Sequence, residues 1–142
     1  MYNTGIPSKL KESGEQIGNY FLILPPEHIA TLPGIETQIA EAMIAGTEKA
    51  GFKCFTRNQL EASWGYPDTD YFKGYLRKDV RDEMPFYRWA IRFADVSITS
   101  ETIMDVPIEK RIDIHTTLVS AALDAFAHSI DSEKLHLILT FY

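Results

Sequence analysis

The stretch PIEKRIDIHTTLVSAALDAFAHSIDSEKLHLILTFY, residues 107–142, decides how the fold is read. Ile108, Ile112, His115, Val119, Ala122, Phe126 and Ile130 recur at intervals of three and four, which puts them on one face of an α-helix. Ile114, Leu118, Ala121 and Ala125 widen that face. Glu109, Lys110, Asp113, Ser120, Asp124 and His128 fall opposite, on a solvated side. Pro107 suits a first helical turn, where an N–H has no helical partner, and Asp105 stands where a carboxylate can cap the free N–H groups. After a turn at 131–134, Leu135, Leu137, Leu139 and Phe141 alternate with His136, Ile138, Thr140 and Tyr142. Both sets are mostly apolar, which predicts a strand covered on both faces, by its own chain or by a partner.

Working outward, residues 86–99 read as another strand. Tyr87, Trp89, Ile91 and Phe93 share one parity, and Arg88, Ala90, Arg92 and Ala94 share the other. Val96 and Ile98 reverse the phase, so a bulge or tight turn near Ala94–Asp95 is expected, restoring the inward phase. Further upstream, NYFLIL at 19–24 is a short apolar run stopped by Pro25 and Pro26, neither of which can donate to a sheet ladder. Residues 35–50 predict a helix with Ile35, Ile39, Ala42 or Met43, Gly46 and Ala50 inward, ended by Gly51. Residues 52–56 read as a strand. The order is then strand–helix–strand, an insertion at 57–85, and strand–helix–strand. It predicts an α+β domain over 19–142: two β-α-β units giving one sheet covered by two helices. A polar arm, residues 1–18, precedes it. The strands are too apolar for a face in plain solvent, which points to a homo-oligomer.

The insertion has a different character. Trp64, Tyr66, Tyr71, Phe72 and Tyr75 stand among acids and bases with little periodicity, and Gly65-Tyr66-Pro67-Asp68 signals a turn. With Tyr142 on the terminal strand, these aromatics form the expected partner-binding set. The alternative is that they roof the core.

Composition narrows the function classes. A formal net charge of −6 argues against nucleic acid and anionic membranes as partners. The single Cys54 allows neither an internal disulfide nor a cysteine zinc cluster, and beside Phe52 and Phe55 it reads as a buried thiol. His28, His115, His128 and His136 show no metal-ligand spacing, so no metal or cofactor is expected. Ile-His-Thr-Thr-Leu at 114–118 has the form of half a two-histidine phosphoesterase, but no second half follows. The first twenty residues are too polar for a signal peptide, and no apolar run approaches the roughly 18 residues of a membrane helix. A cytoplasmic protein, of the producing or a host cell, is expected.

Pro107-Ile-Glu-Lys-Arg, the helix with Thr116, Ala121 and Ala122, the short turn and the strand Leu-His-Leu-Ile-Leu-Thr together resemble the second half of a tautomerase-superfamily subunit, like 4-oxalocrotonate tautomerase or 5-carboxymethyl-2-hydroxymuconate isomerase. The resemblance covers about 55 residues and implies a doubled β-α-β unit in a small oligomer. It also implies an amino-terminal proline as base. Here the chain begins Met1-Tyr2, and Pro85, at the corresponding place in the second unit, is an amide unless the chain is cut after Met84. Arg88 and Arg92 would then bind a substrate carboxylate. The expected function is therefore a non-catalytic interaction or assembly protein, such as a ring-forming virus-particle component or an acidic inhibitor or immunity protein. A tautomerase-like isomerase of a small keto-acid is the alternative. A ligand-binding module using Trp64, Tyr66 and Arg88 is a third.

Overall fold

A computed structural model describes residues 8–129 and 137–141. Its elements are α1 (Ser8–Ser13), β1 (Tyr20–Leu24), α2 (Pro33–Lys49), α3 (Arg57–Trp64), β2 (Asp70–Phe72), β3 (Tyr75–Arg77), α4 (Pro85–Phe93), β4 (Val96–Thr102), α5 (Ile108–Ser129) and β5 (Leu137–Phe141). The strands form one mixed sheet in the order β2-β3-β1-β4-β5. β3 lies parallel to β1, with α2 in the crossover, and β5 lies parallel to β4, with α5 in the crossover. The two β-α-β units meet at the centre, where β1 and β4 run antiparallel and Tyr20 faces Thr102. The fold is α+β.

Strand alternation sets what each face meets. Tyr20 and Leu22 share a face with Thr102 and Ser100. On that face Tyr20 Oη donates to the Ile44 carbonyl of α2 (3.3 Å), and Ser100 Oγ lies 2.7 Å from His115 Nδ1 of α5. The two long helices pack there side by side. Gly46 permits their approach, because a Cβ at that position would stand 3.0 Å from the Ala121 Cβ. Phe21 points the other way. Its ring sits 4.8 Å from Trp64 and 5.6 Å from Phe55, so α3 covers the far side of β1. α3 starts on a capping box: Thr56 accepts from the Gln59 N–H, and Gln59 accepts from the Thr56 N–H. Within the stretch read as an arm, α1 contacts α3 and buries Leu10.

Several expectations change. Residues 86–99 are not one strand: Pro85–Phe93 is a helix and only Val96–Thr102 is a strand. Tyr87, Ala90, Ile91 and Ala94 fall at i, i+3, i+4 and i+7, and that set faces inward. The phase reversal near Ala94–Asp95 is the end of a helix, not a bulge. Trp89 and Phe93, grouped with Tyr87 and Ile91 by strand parity, are 51% and 62% exposed. Residues 52–56 contribute one isolated bridge, Cys54 to Tyr20, rather than a strand. The parallel partner of β1 comes instead from β3, inside the supposed insertion. On α5 the buried centre is Ile114, Leu118 and Ala122, while Ile108 and Ile112 are each 57% exposed. The apolar outer face of β1 is covered by α3, so it gives no argument for a second subunit. Residues 130–136 and Tyr142 lie outside the described residues.

Candidate binding cleft

The aromatic segment builds a cleft at one edge of the sheet. β2 and β3 are joined by the tight turn Lys73-Gly74, where Gly74 takes φ +81°, a conformation that a side chain disfavours. The turn places Phe72 directly across from Tyr75, and their rings stack 4.6 Å apart and nearly parallel, at 9°. Tyr71 points to the opposite face and its hydroxyl accepts from the Tyr66 N–H at 2.8 Å. The hairpin, the outer side of α2 and the start of α3 enclose about 740 Å³. Tyr71, Phe72 and Tyr75 line it together with Ile44 and Ala45.

Its rim is acidic. Glu41, Glu48, Glu61 and Asp70 stand against Arg57 and Lys73, four carboxylates against two cations. Lys73 Nζ lies 2.9 Å from Glu48 Oε2, and that hydrogen bond holds the Glu48 carboxyl below the usual range. Glu41, Glu61 and Asp70 are exposed around the mouth. Beneath it, Cys54 Sγ lies 3.4 Å from Glu48 Oε1. Burial, then the neighbouring carboxylate, pushes the thiol up to about 12, so it is inert as a nucleophile near neutral pH.

The other expected partner-binding aromatics part company with this cleft. Trp64 packs among Phe21 and Phe55 and belongs to the core. Tyr66 is half-buried with Lys78 Nζ 4.6 Å above its ring. The set of Trp64, Tyr66 and Arg88 is not assembled in one place: Arg88 sits on α4, bonded to Asp82 (2.8 Å) and to the Arg81 carbonyl. Arg88 and Arg92 do share a shallow concavity of about 330 Å³ with Asp79, Arg81, Asp82 and Ile91. Carboxylates already answer two of its three arginines, through Arg81–Asp79 and Arg88–Asp82.

α4 forms a second exposed surface. Phe86, Trp89 and Phe93 recur at i, i+3 and i+7, with ring centroids 5.3 Å apart at each step. All three are large, exposed apolar side chains, and Arg88 and Arg92 stand next to them on the solvated side. Pro85 opens this helix as its first residue, so its nitrogen is an amide within the chain.

Two buried features lie elsewhere. Arg77, at the end of β3, donates to Glu36 (2.9 Å), to the Pro25 and Pro33 carbonyls and to Thr37 Oγ1. Glu36 also accepts from the Ser97 N–H, and burial lifts its carboxyl toward about 7 against the pull of Ser97 and Arg77. On the outer face of β4, Ser97 Oγ, Thr99 Oγ1 and Glu101 Oε2 are buried without a hydrogen-bond partner among the described residues, as is Thr140 Oγ1 beside Thr99 on β5. Burial raises Glu101 to about 7, with Arg111 opposing.

His115 is held between Ser100 and Thr102 on β4, and its ring meets Phe141 edge to face at 5.3 Å. Among the described residues no His, Cys, Asp and Glu group of three or more is arranged to hold a metal ion, and no helix is long and apolar enough to cross a membrane. No protein-family model matches the chain, and no curated protein or solved structure matches it either.

The acids of the cleft escaped the sequence reading because Glu41 and Glu48 sit on α2, far in sequence from the hairpin that faces them. The α4 surface was hidden by its own alternation. Two signals point to it: proline at a first helical turn, and the second apolar set at helical spacing.

Proposed function

We propose that the protein is an interaction module that binds a basic, aromatic-bearing protein segment in the cleft between α2, α3 and the β2–β3 hairpin. The observation that carries this reading is an aromatic floor, Phe72 stacked on Tyr75, under a rim with twice as many carboxylates as cations. Such a floor takes flat apolar groups, and guanidinium groups stack on it as well. The rim favours cations and steers them in at low salt. A volume near 740 Å³ suits a few side chains presented by one face of a segment. The reading extends to self-assembly, since a homo-oligomer needs a surface of this kind, and to a cytoplasmic setting. It requires no cofactor.

The test is calorimetric titration with a short synthetic peptide of alternating arginine and tryptophan. Binding should be weakened by salt and by Glu41→Lys with Glu61→Lys, while a peptide with glutamate in place of arginine should not bind. Equal binding of the two peptides would contradict the reading.

A tautomerase-like isomerase is the second reading, favoured by the doubled β-α-β topology. It needs a free amine at Pro85, which is an amide here. Absence of keto-acid isomerisation by the wild-type chain would rule it out, and isomerisation that survives Pro85→Ala would exclude Pro85 as the base.

A further inference from the structure

The chain carries its own segment of the chemistry the cleft suits. α4 presents Phe86, Trp89 and Phe93 with Arg88 and Arg92, and these are three exposed rings and two cations on nine residues. Among the described residues Arg92 makes no ion pair.

α4 and the cleft lie at opposite ends of the sheet. Cys54 bridges to Tyr20, at the start of β1, and the Gly74 carbonyl accepts from Leu22, so the β2–β3 turn lies toward that end. Glu48 and Lys73 meet beside it. At the other end of β1, Leu24 pairs with Arg77, which reaches Glu36 at the start of α2. β4 runs antiparallel to β1, so α4, which leads into Val96, sits near that second end. β1 is five residues long, or about 17 Å of strand. The two surfaces therefore lie toward opposite ends of β1.

We propose that α4 of one copy docks in the acidic aromatic cleft of a second copy, giving a head-to-tail contact. This rests on the reading of the cleft as a binding site and names its occupant. Charge complementarity supports it: the cleft lining has an excess of carboxylates, and α4 has two arginines and no acid. The apolar parts also match, ring ladder against stacked rings. Trp and Arg are the residues that most often anchor interfaces. Three aromatic side chains bury at most about 150–250 Å² each, and these are already partly covered, so the contact falls below the roughly 800 Å² per partner of a standard interface. It is a weak, salt-sensitive contact. Because the two patches differ, each docked copy leaves one free cleft and one free α4, and association continues into a ring or a filament.

Sedimentation of the full chain tests this with two variants altered only at exposed positions. One carries Trp89→Glu and Arg92→Glu and keeps its cleft. The other carries Glu41→Lys and Glu61→Lys and keeps α4. The wild type should associate beyond a dimer as concentration rises, each variant alone should be monomeric, and an equal mixture should give a dimer that grows no further. A mixture that stays monomeric, or either variant associating like the wild type, overturns the proposal. A monomeric wild type whose cleft still binds the arginine–tryptophan peptide overturns self-docking alone; a cleft that binds neither overturns the functional reading with it.

Discussion

Strands β1 and β4 lie side by side at the centre of the sheet and are buried throughout, yet one is Tyr-Phe-Leu-Ile-Leu and the other Val-Ser-Ile-Thr-Ser-Glu-Thr. β1 fills both faces with side chains that leave water favourably: Leu22 under α2, and Phe21 under Trp64 and Phe55. β4 inserts hydroxyls and a carboxylate into the same layer. On the helix side they are answered, Ser100 and Thr102 by His115, and Thr102 also by Arg111 at 2.9 Å. On the outer side Ser97, Thr99 and Glu101 each keep an atom with no partner among the described residues. Equal burial therefore does not mean equal contribution. The first β-α-β unit holds the fold, and the second carries a row of buried polar groups that costs stability.

Removing apolar bulk from β1 should do the most harm. Phe21→Ala should cost about 3–5 kcal/mol in chemical denaturation, because the Trp64 and Phe55 rings cannot close the space. A loss below about 1 kcal/mol would remove β1 as the anchor. Arg77→Ala should come close behind, at about 3–5 kcal/mol, since it strands Glu36 in a site where it is 1% exposed. Partial recovery on adding Glu36→Gln would identify the stranded charge as the cause.

Acidity separates the strands next. Glu101 has a folded-state value near 7, above its ordinary 4.5, so the folded protein holds a proton that the unfolded chain releases. The stability it contributes is full below about 4.5 and is lost as pH rises to about 7, at no more than about 1.4 kcal/mol per pH unit. Glu36 adds to the same window. Glu101→Gln should flatten the decline of the melting temperature between pH 5 and 7, and an unchanged slope would contradict the assignment to Glu101. Smallest of all, Thr99→Val should leave stability unchanged or raise it by about 1 kcal/mol, because it removes a hydroxyl with no partner. A clear loss there would mean that the outer row of β4 is satisfied after all.

The same contrast explains what the sequence disclosed. β1 was legible as an apolar run stopped by Pro25, α2 by its periodicity and by Gly51 just beyond it, and α5 by its periodicity. Even there the α5 face was misplaced by part of a turn, leaving Ile108 and Ile112 outside. The segment before β4 carries two periodicities at once. Its alternation of aromatic and small or charged residues suits a strand, while Tyr87, Ala90, Ile91 and Ala94 suit a helix whose other side is also aromatic. That second apolar side is what a docking surface adds, and it erases the polar face by which a helix is recognised. The aromatic floor of the cleft was legible as composition, through Tyr71, Phe72 and Tyr75. Its acids and the core role of Trp64 depend on tertiary contacts that no local pattern encodes.

The chain has two tryptophans: Trp64 packs against Phe21 in the core, and Trp89 lies exposed on α4. In a Trp64→Phe variant, Trp89 is the sole tryptophan. Its quenching by acrylamide, followed from about 1 µM to about 1 mM protein, spans the range of weak association. Quenching should be strong in dilute solution and fall, with a blue shift of emission, as copies dock, and salt should restore it. Quenching that is weak at every concentration would put Trp89 inside the fold, and quenching that is strong and constant would leave α4 without a partner in its own kind.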